Sequence, residues 1–203
     1  MKEENKMRKK SLTWILVIAM VLSMLISVPI TVSAATLLGN GSELFYDDFE
    51  SYTENTYPSS FTQKYNGTDD ANQKVITTST FNGSTGKVFQ LEGARNWSSE
   101  QYRSLPETLP DNIVIDAYIK PVTSSRNAEL SLRTFSVGTW GTRISSVWFE
   151  GDGTIVAVQY GNDNNRIYVG SYTVGNWYRV TLDNNMIDKT YDVYIDGVLT
   201  TSD

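Results

Sequence analysis

The chain has 203 residues, 40% of them hydrophobic, with 17 Lys and Arg against 23 Asp and Glu for a formal net charge of -6, and neither cysteine nor histidine. This length suits one good-sized core, and the hydrophobic share excludes a compositionally disordered chain. The missing cysteines exclude disulfides. The missing histidines exclude the commonest metal ligand and general base, and with it serine–histidine and cysteine–histidine nucleophile machinery.

The first element is an export segment. Residues 1 to 10 carry Lys2, Lys6, Arg8, Lys9 and Lys10; an apolar run follows, broken late by Pro29, and Val32-Ser33-Ala34 ends it on small residues. A charged start, apolar middle and small-residue end predict a signal peptide over residues 1 to 34, cleaved after Ala34. The run is also long enough for a membrane helix if it is retained. Either outcome predicts an extracellular domain, secreted or held at the cell surface, touching the membrane only through an uncleaved N-terminal segment. Removing residues 1 to 34 takes five of the 17 basic and two of the 23 acidic residues, leaving 12 against 21, a net of -9. That acidity excludes nucleic acid as a partner, which needs a basic footprint. It is compatible with neutral glycans, calcium or saline surroundings.

Residues 35 to 43 are small and polar and read as a lead-in. Leu44 to Phe49 is predicted as a first strand, and residues 50 to 73 as a long loop with a short strand around Phe61 to Tyr65. From residue 74 the apolar period is two. Lys74 to Thr80 and Lys87 to Glu92 flank the turn-prone Asn82-Gly83-Ser84-Thr85-Gly86, a hairpin. Ser99 to Arg103 follows as a further strand, and Leu105 to Asn112, with two prolines, as a turn. Asn112 to Val122 alternates cleanly. Ile113, Ile115, Ala117 and Ile119 lie on one face; Val114, Asp116, Tyr118 and Lys120 lie on the other. Then come Glu129 to Ser136, Ile144 to Glu150, Thr154 to Tyr160, Arg166 to Tyr172, Trp177 to Asp183 and Tyr191 to Asp196. Turns are placed at Gly138 to Gly141, Gly151 to Gly153 and Gly161 to Asn165. Asp196-Gly197 is a two-residue hairpin turn with Val198-Leu199-Thr200 returning. The total is nine to eleven strands. Residues 184 to 190 read as a turn, with a short helix as the alternative.

A sheet with one apolar face must cover it, and no helix is predicted to do so. Two antiparallel sheets packed face to face solve the problem with their own inward side chains. The predicted fold is therefore all-β, a two-sheet antiparallel β-sandwich.

Three stretches carry a resemblance: Phe45-Tyr46-Asp47-Asp48-Phe49-Glu50-Ser51-Tyr52, Trp177-Tyr178-Arg179-Val180, and Tyr191 to Val198. Together they resemble the concanavalin A-like, laminin G-like jelly-roll superfamily of lectins, glucanases and binding domains, over residues 44 to 203. The resemblance implies a jelly roll and says little about activity. It also implies a final strand beside the first; the chain ends at Asp203 without room for one, so the domain is read as C-terminally truncated, the alternative being an uncovered sheet edge.

Asp47, Asp48 and Glu50 form an acidic cluster, and on a strand Asp48 and Glu50 would share a face. Calcium takes hard oxygen ligands of this kind. The resemblance implies a structural calcium here, with Asp48 as the chosen ligand and Asp47 and Glu50 as lesser candidates; the plainer reading is a solvated strand end. Glu150 and Asp152 are the weak catalytic candidates. Glycosidic hydrolysis needs two facing carboxyls, but the E-x-D-x-E run of the superfamily's glucanases is incomplete at Glu150-Gly151-Asp152-Gly153-Thr154, which reads as a hairpin turn. Asp116 and Asp188 stand alone. A sugar stacks its C–H face on flat rings while polar neighbours take its hydroxyls. The candidate glycan-binding set is therefore Trp140, Trp97 and Tyr102, with Asn96 and Asp152 as hydroxyl partners. Trp148 and Trp177 read as packing residues. Arg133, Arg143 and Arg166 are scattered along the chain. Asn40, Asn66, Asn82 and Asn96 begin Asn-x-Ser/Thr triplets, expected by chance in so polar a sequence.

These readings lead to an extracellular, non-catalytic carbohydrate-binding or adhesion-type module, its partner a glycan or cell-surface polysaccharide. The alternatives are a polysaccharide-acting hydrolase or lyase with an incomplete site in this chain, and a surface-structural domain with no small ligand.

Overall fold

The computed structural model describes residues 41–67, 73–93, 98–134 and 141–202. All fall in the second of the two units into which the chain divides, Val32–Asp203. The predicted signal segment, most of the lead-in, Asn96, Trp97 and Trp140 lie outside the described residues.

Among those residues the protein is all-β, with twelve strands and no helix: β1 (Thr62–Asn66), β2 (Lys74–Ser79), β3 (Thr85–Gln90), β4 (Ser99–Tyr102), β5 (Asn112–Ile119), β6 (Ala128–Arg133), β7 (Arg143–Phe149), β8 (Thr154–Val158), β9 (Arg166–Ser171), β10 (Tyr178–Asn185), β11 (Thr190–Ile195) and β12 (Val198–Ser202). They form four sheets rather than two: β12-β11-β10-β5, β6-β7-β8-β9, and the two-stranded β1-β4 and β2-β3. Every pairing is antiparallel.

The alternation read in the sequence decides the faces. In β10 and β11, Val180, Leu182, Tyr191 and Val193 enter one buried cluster with Val147, Phe149, Ile155, Ala157 and Tyr172. The two four-stranded sheets thus share a core, and full burial of each large apolar side chain contributes about 1.5–3 kcal/mol. Ile113 is 4% exposed, and Ile115 and Ile119 pack against the core as partly buried residues, while Tyr118 on the opposite face is 39% exposed. The Asp196-Gly197 turn has the expected geometry, with φ of 52° and 79°, the left-handed pair a two-residue hairpin requires.

One expectation about a strand is corrected. Leu44 to Phe49 is not a strand. The Asp47 carboxylate accepts a hydrogen bond from the Phe49 amide at 2.8 Å, and Phe49 has φ 63°, so the chain turns instead of extending. The apolar residues there build an aromatic cluster in which Phe45 and Phe49 meet Phe61, and Phe61 meets Phe89 at 5.4 Å. Near 184 to 190 the expected turn is present: β10 runs on to Asn185, whose Oδ1 then accepts from the amides of Ile187 and Asp188 and closes it.

A third feature was hidden from any strict period of two. Leu132 pairs with Ser145, but Arg133 pairs with Arg143, so Ile144 is an extra residue in β7. Such a bulge changes the facing of everything beyond it. Ile144 joins Ile113 and Leu132 in a second buried cluster. Arg143 is thereby placed among the side chains of Glu129, Ser146 and Trp148.

Candidate functional site

The outer face of β5-β10-β11-β12 carries one group of candidate residues. Tyr118 and Arg179 are directly paired across β5 and β10, as are Asp116 and Thr181. Arg179 grips the Asp116 carboxylate with Nε at 3.0 Å and Nη2 at 3.1 Å, and the Thr181 hydroxyl donates to it at 2.7 Å. Two contacts tie this face to the β2-β3 hairpin. Phe81, at the hairpin tip, stacks on Tyr118 with centroids 3.6 Å apart and planes 12° from parallel, and the Trp177 indole donates to the Ser79 carbonyl at 3.0 Å. Phe81 nevertheless stays 52% exposed. Lys120 stands 5.8 Å from the Trp177 ring and Arg179 stands 5.9 Å from that of Tyr118.

Further along the same face, Asp183 of β10 is directly opposite Asp192 of β11, and Tyr194 is opposite Thr181. Burial and the neighbouring Asp192 push the Asp183 carboxyl above the usual carboxylate range. Burial, then Asp192 and Asp183, likewise push the Tyr194 phenol up.

The β6-β7-β8-β9 sheet presents a different surface. Glu129 lies opposite Trp148 in the register. Its carboxylate accepts from Arg133 Nη2 at 2.7 Å, Arg143 Nε at 2.8 Å and the Ser146 hydroxyl at 2.8 Å. Burial alone would raise the Glu129 pKa; the Arg143 and Arg133 contacts outweigh it and bring the carboxyl down to about 2. Arg143 also pairs with Asp163, and Arg166 with Glu150. The guanidiniums of Arg143 and Arg166 stand 4.8 and 4.6 Å from the Trp148 ring, whose Nε1 donates to Ser146 at 2.7 Å. Three arginines that look scattered in the sequence therefore meet around one carboxylate and one indole.

The residues singled out from the sequence are dispersed. Tyr102 is on β4 and Asp152 is in the β7-β8 turn, in different sheets. Glu150 and Asp152 belong to that tight turn, closed by Gly153 N–H to the Glu150 carbonyl at 3.0 Å. The Thr154 hydroxyl and amide donate to Asp152 and hold its carboxyl below the usual range. Asp47 accepts from the hydroxyls of Tyr52 and Ser60 at 2.7 and 2.6 Å, Asp48 from the Glu50 amide at 3.0 Å, and Glu50 from the Lys87 amide at 2.8 Å. With no strand there, Asp48 and Glu50 do not share a sheet face. Among the described residues, no group of three or more acidic side chains is arranged to hold a metal. Asp116 is paired with Arg179, and Asp188 accepts from the Asn185 side-chain Nδ2 at 2.8 Å.

Sequence reading missed Phe81, Asp183 and Asp192 as candidates. The facing of Asp192 was legible, but its partner depends on the β10-β11 register. No family model matches the chain, and neither a curated protein nor a solved structure matches it.

Proposed function

We propose that this is an exported, non-catalytic glycan-binding module, the two four-stranded sheets forming the layers of a β-sandwich of the concanavalin A-like type. The N-terminal export pattern supports the extracellular setting, and the shared core between the sheets supports the layering. The observation that carries the binding reading is the Phe81–Tyr118 stack. A half-exposed aromatic ring is immobilised against a sheet face beside Trp177, Asp116, Arg179 and Lys120. A fixed ring offers a sugar's C–H face a surface at low entropic cost, and charged neighbours supply hydroxyl partners. Trp140, Trp97, Asn96 and Asp152 remain the proposed loop contacts, with Tyr102 on β4.

The test is a pull-down on a panel of insoluble polysaccharides and a glycan array. Phe81→Ala should weaken capture about tenfold, equivalent to ~1.4 kcal/mol, and Trp140→Ala serves as the matching probe of the loop aromatics. Unchanged binding in both variants overturns the assignment. The hydrolase reading is tested in the same tubes: sugar release that disappears in Glu150→Gln or Asp152→Asn would replace the binding module with an enzyme.

A further inference from the structure

We propose that Ser145 and Asn184 hold a structural water molecule between the two four-stranded sheets, at a site that bridges β7 to β10 through the core. The proposal does not rest on the glycan reading.

Both side chains are 0% exposed. Both face inward. On β10, Asn184 continues the row of Val180 and Leu182, and on β7, Ser145 continues the row of Val147 and Phe149, all four in the shared core. Each carries an oxygen without a hydrogen-bond partner among the described residues, Asn184 Oδ1 and Ser145 Oγ. The orientation of the amide is fixed. Asn184 Nδ2 donates to the Ile113 carbonyl at 2.9 Å and to the Leu182 carbonyl at 3.2 Å, and a reversed amide would set its oxygen against both. The oxygen is thus the atom left over.

The proximity of the two side chains follows from what lies on either side of them. The neighbours of Asn184 across the register are Ile113 on β5 and Tyr191 on β11. Ile113 shares a buried cluster with Ile144 and with Leu132, the residue opposite Ser145. The Tyr191 hydroxyl reaches the Ser146 carbonyl oxygen, 3.2 Å away. The two flanks of Asn184 therefore meet the residues immediately before and after Ser145, and the two orphaned oxygens share one interval between the sheets.

A buried oxygen left without a partner is costly, and native interiors leave few. These two are not bonded to each other, so the link needs a third group small enough for a closed core. That group must donate to Asn184 Oδ1, which only accepts, and it can donate to the Ser145 hydroxyl or accept from it. Water does both, and it is held stably where a buried site offers two or more polar partners. A metal ion matches poorly, because two neutral oxygens fall far short of the about six to eight that calcium takes.

The experiment is magnetic relaxation dispersion of the water oxygen in solutions of the whole protein, which counts waters that tumble with it. Ser145→Val and Asn184→Leu each remove one hydrogen-bonding oxygen and put methyl groups in its place. Each should lower the dispersion amplitude by the share of one water, and the double variant by that same single share. An amplitude unchanged in either single variant overturns the site, and so does the loss of two waters in the double variant, which would separate the two side chains. Should a variant not fold, a crystal structure of the wild type decides. It should show one ordered water within about 2.5–3.0 Å of both oxygens; two separate waters, or the hydroxyl bonded directly to the amide, overturns the bridge. Polysaccharide capture through Phe81 is scored separately, so either proposal can fall without the other.

Discussion

The outer faces of the two four-stranded sheets treat buried acidity in opposite ways. On β6-β7-β8-β9, Glu129 is surrounded by Arg133, Arg143 and a serine hydroxyl, and its carboxyl falls to about 2 against a burial penalty that alone would raise it. On β5-β10-β11-β12, Asp183 faces Asp192 without a counter-charge, and its carboxyl rises. Both groups are strand carboxylates whose side chains are partly covered, Glu129 near the start of β6 and Asp183 within β10. The difference lies in what the register sets across from them: for Glu129 the bulge in β7 brings Arg143 within reach, whereas for Asp183 the partner strand supplies another acid. Partial burial amplifies whichever neighbour is present.

The largest expected effect breaks the paired face. Glu129→Ala removes the group that answers two arginines, whose side chains are only 15% and 10% exposed. Loss of one partner from a buried ion pair is costly, and a destabilisation of about 3 kcal/mol is expected in chemical denaturation. A loss under about 0.5 kcal/mol, the scale of a surface ion pair, would mean the network is solvated.

Acid titration sharpens the same contrast. The folded pKa of Glu129 lies below its ordinary 4.5, so its contribution is fully present above that value and is lost as pH falls through about 2. A shift of this size corresponds to about 3 kcal/mol. For Asp183 the sign reverses: with a raised folded pKa, its contribution is present below the ordinary carboxylate range and is lost as pH rises through the folded value. Stability measured from pH 2 to 7 should therefore show a Glu129-dependent acid limb that Glu129→Gln flattens. Asp183→Asn should leave that limb intact.

A smaller effect is expected from the unpaired face itself. At neutral pH, Asp183→Asn should stabilise by about 0.5–1 kcal/mol, the scale of a like-charge cross-strand pair. Destabilisation instead would show that the carboxylate has a partner. The smallest effect belongs to Asp163, whose side chain is 56% exposed although it pairs with Arg143. Asp163→Asn should cost under about 0.5 kcal/mol, which separates the exposed rim of the Arg143 cluster from its Glu129 hub.

Much of this protein was decided locally. The alternation in Asn112 to Ile119 and Tyr191 to Ile195 gave their inward and outward faces, because a strand's side chains have a period of two whatever surrounds them. Asp196-Gly197 specified its own turn, since few residues accept a positive φ there. The first strand failed for an equally local reason, the Asp47 side chain capturing the Phe49 amide, which hydropathy does not register. What only the tertiary structure decided is pairing. The gathering of Arg133, Arg143 and Arg166 around Glu129 and Trp148, the stack of Phe81 on Tyr118, and the confrontation of Asp183 with Asp192 each join residues whose positions along the chain carry no mark of the other. Sequence sets which way a strand residue points; strand order, register and a single bulge set what it points beside, and the charge state of a half-buried carboxylate depends on that second choice.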